Sequence, residues 1–537
     1  MMKRTLRALV PNLPSPTIAG AIACIIVVTA IVPALAAGAP PLAAQGPAQG
    51  SAQRAAKDEN AKRVDALFAP WSATDSPGCA VAVVRDGRII YARGYGMANL
   101  DLGVPNTSST VFNIASMSKQ FTAAGVVMLA QAGKLALDDD VRKYVPELPQ
   151  YERPVTIRQL LQHTSGIRDF IDLMTLGGRP IDSVYTLDET LRLIARQRAL
   201  NFAPGDRYLY SNSGYILLLA IVERVSGEKF GRFVEHNIFE PLGMTHSRVY
   251  DDRSMIVKDR ATGYFKRPDG SLGGRMSAWQ IPGDGGVLTT VEDLFLWDQN
   301  FYDKKLGGPE RGADLIAQLT KPGTLHDGSP MEYGLGLRVE TYRGLRLISH
   351  SGGIGGFGTQ MLRFPDRRFT AISLCNTSEP NTTALTKSIA DIYLFDNTPG
   401  PPAPPVPPTT AAAASRTLAP AELARYEGEY WSEDVDAALT VRARDGRLWI
   451  ERRDAAPIPL SPQSEGDGAA PGSNEFKAAR FTVAFMSGAQ TTARPAAKTA
   501  AQASAPMTAF TISTTRANNI RFERRGAAAV SSSARTR

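Results

Sequence analysis

The chain has 537 residues, 43% hydrophobic and 21% charged, with 47 glycines and 37 prolines; this length is more than one compact core holds and excludes a single-domain reading. A formal charge of +8 is modest for the length, and no basic cluster interleaved with aromatics occurs, so nucleic acid is excluded as a partner. The five histidines are scattered, and neither His-Glu-x-x-His nor Cys-x-x-Cys is present, so a metal site is excluded as well.

Lys3, Arg4 and Arg7 precede an uncharged, mostly apolar run from Thr17 to Ala37 that contains Ala34-Leu35-Ala36, the small-x-small form of a signal-peptidase site. Residues 1–36 therefore read as a signal peptide. The run at 17–37 is also about long enough to cross a bilayer as one helix, which keeps an uncleaved N-terminal membrane anchor open. Both readings imply an exported protein of the periplasm or cell envelope. Residues 37–61 read as a flexible segment.

Strand and helix patterns alternate from residue 62 to 398. Runs at 79–85 and 88–93 are rich in β-formers and joined by Asp86-Gly87, the signal of a tight hairpin. Helical patterns follow at 116–132, closed by Gly133, and at 215–225, closed by Gly227. A second set of strands is predicted at 345–349, 359–364 and 368–374. Strands at both ends of a helical middle predict an α+β domain in which the two chain ends build one antiparallel sheet covered by helices. Cys79 and Cys375 each lie in one of these apolar runs and read as buried free thiols in preference to a disulfide between neighbouring strands.

Residues 399–418 form a Pro/Ala-rich linker. Short β-prone runs between 419 and 525, with Asp445-Gly446 at one turn, predict a small C-terminal β-barrel domain containing a flexible loop at 490–506. Residues 526–537 read as a disordered tail.

Chemistry concentrates in three places. Ser116-Met117-Ser118-Lys119 opens a helix, where outward backbone N–H groups favour developing negative charge and Lys119 shares a face with Ser116 one turn away. A serine hydroxyl needs a neighbour to take its proton, and a lysine desolvated among Phe121, Ala124, Val127 and Leu129 is a candidate for that role. Ser226-Gly227-Glu228-Lys229 has the same spacing but falls at a helix end and reads as surface. Tyr210 and Asn212 precede the second helix; Tyr210 can relay a proton and Asn212 can orient Lys119 or hold a substrate amide. Taken alone, the segment reads first as a loop tyrosine with a helix-capping Asn212. His350-Ser351-Gly352-Gly353 ends a strand, and its glycines would let a substrate backbone approach the strand edge. His163, before Thr164-Ser165-Gly166, and His236 read as structural. No Gly-x-Ser-x-Gly elbow occurs, which argues against an α/β-hydrolase.

In this order Ser116, Tyr210 and His350 resemble the three motifs of the serine β-lactamase and penicillin-binding protein family: Ser-x-x-Lys, Tyr-x-Asn, and Lys-Thr-Gly or its His-x-Gly variant. Leu160 to Gly166, Pro241 to Met244, Gly285 to Asp293 and Tyr333 to Gly336 look like further segments of its class C-related branch. The resemblance implies a β-lactamase/transpeptidase-like fold and an acyl-enzyme mechanism without cofactor, in which Ser116, Lys119 and Tyr210 are catalytic. Asn212, His350, Gly352 and Gly353 would bind substrate, with the N–H groups of Ser116 and Gly353 as the oxyanion pair. The absence of Lys-Thr-Gly moves the expectation from β-lactams toward D-aminopeptidase-like, D,D-peptidase-like or esterase-like hydrolysis of a small-molecule, peptide or ester substrate. A non-catalytic peptidoglycan-binding protein is the alternative of another class.

Overall fold

Along Cys79–Arg85 (β1), successive side chains alternate between two cores, as the period-two geometry of a strand requires. Ala80 and Ala82 pack toward one core, while Cys79, Val81 and Val83 pack toward the other. The computed structural model describes residues 59–180, 183–276, 279–395, 418–452, 455–463, 474–487 and 506–526. The expected leader or anchor, residues 37–58, nearly all of the linker, all but the end of the 490–506 loop and the tail from 527 lie outside the described residues.

β1 continues by the expected hairpin into β2 (Arg88–Tyr95). The later strands are β3 (Arg338–Tyr342), β4 (Leu345–Ile354), β5 (Phe357–Phe364) and β6 (Phe369–Cys375). They form a six-stranded antiparallel sheet in the order β3-β4-β5-β6-β1-β2, so the two ends of the domain meet at the β6–β1 pair. The register sets Cys79 directly opposite Cys375, and the two are joined in a disulfide. This corrects the reading of both as free thiols. Each run discloses a buried strand, but the facing of the two cysteines follows from the pairing register, which neither run's composition carries.

On one face of the sheet lie α1 (Lys119–Gln131), α2 (Phe170–Leu176), α3 (Asn212–Ser226) and α4 (Val291–Asp303); on the other lie the 59–68 helix and α5 (Thr382–Leu394). Helix α3 is buried along most of its length and ends at Gly227, whose φ of 78° is the left-handed C-cap that its sequence signalled. Helix α4 is pinned to the sheet by a buried ion pair, Arg363 Nε to Asp298 Oδ1 at 2.6 Å, with Thr370 Oγ1 donating to the same oxygen.

The C-terminal domain is a closed barrel of β7 (Gly428–Ser432), β8 (Ala437–Arg444), β9 (Arg447–Arg452), β10 (Ala455–Pro462), β11 (Glu475–Lys477), β12 (Thr482–Ser487), β13 (Met507–Ser513) and β14 (Ile520–Arg524). Pairing of Tyr430 with Arg524 and of Trp431 with Glu523 closes the ring of strands. Its centre is aromatic, with Tyr430, Phe485, Phe510 and Phe522 in ring contact. The barrel meets the α2 region through Arg168 to Asp434 (3.1 Å), Arg452 Nη1 to the Thr175 carbonyl (2.6 Å) and the 514–519 connection between β13 and β14.

Candidate active site

The nucleophile segment is bent before the helix begins. Asn113 Oδ1 accepts from the Ala115 N–H at 2.9 Å, and Ala115 has a φ of 47°, a left-handed conformation rare for a residue with a Cβ. A 3₁₀ turn over Ala115–Ser118 then feeds into α1, so Ser116 stands where chain and helix meet. The turn is anchored from the side, because Ser118 Oγ accepts from the Val287 N–H and Thr122 Oγ1 donates to the Gly283 carbonyl.

Lys119 is fully buried. Its Nζ lies 3.1 Å from Ser116 Oγ, 2.9 Å from Asn212 Oδ1 and 2.6 Å from the Asp284 carbonyl oxygen, three acceptors for its three donors. The rings of Tyr210 and Tyr215 flank the ammonium at 4.9 and 5.3 Å. Burial disfavours the charged form and brings Lys119 down to about 8, against the attraction of Asp284 and Asp169. Asp284 is pushed up by the same burial, and its Oδ1 lacks a hydrogen-bond partner among the described residues. Tyr210 is hydrogen-bonded to Ser116, and burial pushes its phenol well up, so it stays protonated.

Asn212 is oriented by a residue that sequence reasoning missed. Asp169, fully buried, takes both the Asn212 backbone N–H (2.6 Å) and Asn212 Nδ2 (3.0 Å) on Oδ2. In sequence it looks only like the N-cap of α2, a role it also fills through Ile171 N–H.

A second polar chain runs behind the tyrosine. The Ser211 N–H donates to His163 Nδ1 (3.1 Å), which fixes the proton of His163 on Nε2, facing Tyr333 Oη at 3.2 Å. The Tyr333 hydroxyl then donates to His350 Nε2 (2.9 Å), and His350 Nδ1–H donates to the Ser351 carbonyl (2.6 Å). Both imidazoles are thereby neutral with fixed tautomers, and burial carries His350 down to about 3. His163 is a buried strut under Tyr210, their ring centroids 4.2 Å apart.

These groups open on a cleft of about 690 Å³ whose walls include Ser116, Tyr210, Asn212, Asp284 and Gly353. Apolar walls come from Ile171, Phe265, Trp279 and Ile281, and the barrel adds Arg480 and Arg516 to the lining. The structure therefore gathers Ser116, Lys119, Tyr210, Asn212 and Gly353. His350 sits behind them with both ring nitrogens engaged, and at Gly352 a Cβ would press to 2.1 Å from the Ile114 carbonyl oxygen, so that glycine serves close strand packing. The second Ser-x-x-Lys lies at the surface: Ser226 Oγ bonds back to Val222, and Lys229 reaches Glu223.

Known proteins resemble the chain over the part that holds these residues. The Beta-lactamase family model matches residues 61–394. Penicillin-binding protein 4* of Bacillus subtilis (strain 168) is 31% identical over 430 residues, covering 76% of this chain and 91% of that protein. A D-aminopeptidase of Gluconobacter oxydans (strain 621H) is 30% identical over 302 residues, 56% of each chain, so the match spans little more than half of that enzyme. The octameric penicillin-binding protein homologue from Pyrococcus abyssi shares the fold with a TM-score of 0.57 at 23% identity, over 87% of this chain and 99% of that one. The chain belongs to the Beta-lactamase family and is a serine hydrolase of its penicillin-binding protein-like branch.

Proposed function

We propose that this family member hydrolyses amide bonds of small D-amino-acid-containing peptides through an acyl-enzyme on Ser116. The observation that carries the reading is the 3.1 Å approach of a fully buried Lys119 Nζ to Ser116 Oγ. Neutral Lys119 accepts the Ser116 proton as Oγ attacks the substrate carbonyl. The resulting oxyanion is received by the N–H groups of Ser116 and Gly353. Tyr210, still protonated, passes a proton to the departing amine and is reprotonated from Lys119. Water then attacks the acyl ester and releases the acid, restoring Ser116.

Two features favour a D-peptide or D-amino-acid amide over a β-lactam. One is the likeness to D-aminopeptidases, at 30% identity over 302 residues. The other is the neutral His350, which offers no positive charge to attract a ligand carboxylate. Ester hydrolysis is compatible with the same machinery. Export to the periplasm or cell envelope is supported by the leader-like residues 1–36 and by a disulfide, which persists mainly in oxidising compartments. A role limited to binding peptidoglycan loses ground because nucleophile, base and proton relay are in mutual contact.

The test is turnover of D-alanyl p-nitroanilide, p-nitrophenyl esters and a chromogenic cephalosporin by the wild type beside Ser116→Ala. Loss of D-alanyl p-nitroanilide turnover in the variant supports the proposal. Labelling of wild type by a fluorophosphonate no better than labelling of Ser116→Ala would sink it.

A further inference from the structure

We infer that Arg516, carried by the C-terminal barrel, is a positioning residue for the catalytic lysine, acting through Asp169 and Asn212; the inference rests on Lys119 being the base for Ser116. Arg516 lies in the 514–519 connection, far along the chain from the motifs, yet its Nη2 stands 3.4 Å from Asp169 Oδ1 and 3.0 Å from Asp172 Oδ1. The connection is latched to α2 by its backbone as well. The Asp169 N–H donates to the Arg516 carbonyl (3.1 Å), the Arg516 N–H to Asp172 Oδ2 (3.1 Å), and Thr514 Oγ1 to that same oxygen (2.8 Å).

The chemistry of Asp169 transmits this contact to the nucleophile. An ionised carboxylate only accepts hydrogen bonds. Facing Asp169, the Asn212 amide must therefore turn its Nδ2 inward, which leaves Oδ1 for Lys119 at 2.9 Å. A protonated Asp169 would present a hydroxyl instead, and the amide would be free to flip its NH₂ toward Lys119, removing an acceptor from the base. Asp169 is fully buried, and burial pushes its carboxyl up; Arg516 is the largest influence opposing that rise. The other charges facing it are Lys119 from α1, Asp172 from its own helix and Asp284 from the loop beside Lys119. The neighbouring Arg168 is paired with Asp434. Arg516 is thus the barrel's contribution to keeping Asp169 ionised and Asn212 correctly turned.

The experiment follows the rate of Ser116 labelling by a fluorophosphonate in the full chain between pH 5 and pH 9 (on the order of the range around Lys119 titration). In wild type the rate should fall on the acid side with the loss of one protonation equilibrium, that of Lys119. In Arg516→Met two effects act with the same sign. Removing a cation raises Lys119, and it also takes away the largest influence holding the Asp169 carboxyl down. The acid limb should move to higher pH by about one unit or more and steepen toward a two-proton dependence. Arg516→Lys should restore the wild-type limb, and adding Asp169→Asn to Arg516→Met should return a one-proton limb. A purely structural contact would lower the rate evenly across pH. An unmoved limb, a shifted limb that stays one-proton, or an Arg516→Lys limb displaced as far as that of Arg516→Met overturns the inference. Should Arg516→Met fail to fold, Asp169→Asn alone decides: it must lower the plateau rate by about tenfold or more, and a wild-type rate overturns the inference. A wild type in which Ser116 is not labelled removes the hydrolase reading itself, a different result from a labelled protein with an unmoved limb.

Discussion

The hydroxyl of Tyr333 donates to Nε2 of His350 across 2.9 Å, and the same oxygen stands 3.2 Å from His163 Nε2. One phenol thus serves two buried imidazoles. Tyr333→Phe keeps the ring and removes both bonds at once, leaving a donor on His163 and an acceptor on His350 without partners. Unsatisfied buried groups of this kind cost about 1–3 kcal/mol each. The expected result is a clear fall in the urea midpoint at neutral pH; an unchanged midpoint would show that the relay contributes nothing.

Lys119 sets the pH dependence. Its folded-state value lies below the ordinary lysine value because burial penalises the ammonium, and its neutral form is the one that can take the Ser116 proton. The active fraction therefore grows as pH rises through about 8 and shrinks below it. The second-order rate of Ser116 acylation should climb from mildly acidic pH and level off above that midpoint. Lys119→Met should lower the plateau by about 10²–10⁴-fold while leaving the protein folded. A rate independent of pH across the neutral range would exclude Lys119 as the base.

The motif residues were legible because their chemistry is carried by residue type and short spacing. Ser116 and Lys119 lie one helical turn apart, and Tyr210 and Asn212 flank the start of α3. The central strands were legible as short apolar runs rich in β-formers, as at Cys79–Arg85 with the Asp86-Gly87 turn after it. Asp169, Asp284 and Arg516 were not, because each is an ordinary polar residue until tertiary contacts place it beside Lys119 or Asn212. Strand β10 is hard to read as a strand because Pro457 and Pro459 argue against a central position. It pairs with β9 along its length but with β11 only at Ser461 and Pro462, so one side tolerates missing N–H groups.

The Arg363–Asp298 pair makes the seam between α4 and the sheet sensitive to charge. Both side chains are almost wholly buried, and the guanidinium also lies 3.5 Å from the centre of the Phe301 ring. Asp298→Asn keeps the volume but leaves the Arg363 cation uncompensated in a low-dielectric layer, and breaking such a pair costs about 3–5 kcal/mol. Replacing both partners with apolar residues, as in Asp298→Leu with Arg363→Met, should recover most of that loss. Denaturant unfolding of the three proteins checks this, and a double variant no more stable than Asp298→Asn would contradict it.

The disulfide joins residues 296 positions apart, and it closes the sheet where the two ends of the domain meet. Cross-linking so distant a pair restricts the unfolded chain far more than the folded one, where β1 and β6 are already held by their ladder. Replacing both Cys79 and Cys375 with alanine should therefore cost about 2–5 kcal/mol, chiefly by enlarging the freedom of the unfolded state. Adding reductant should lower the thermal midpoint of wild type toward that of the double variant and leave the double variant unaffected. Alkylation of Cys79 and Cys375 in denatured, unreduced protein is the direct control. If both cysteines are modified there, the bond is absent and the expected stability difference falls to that of two small core truncations.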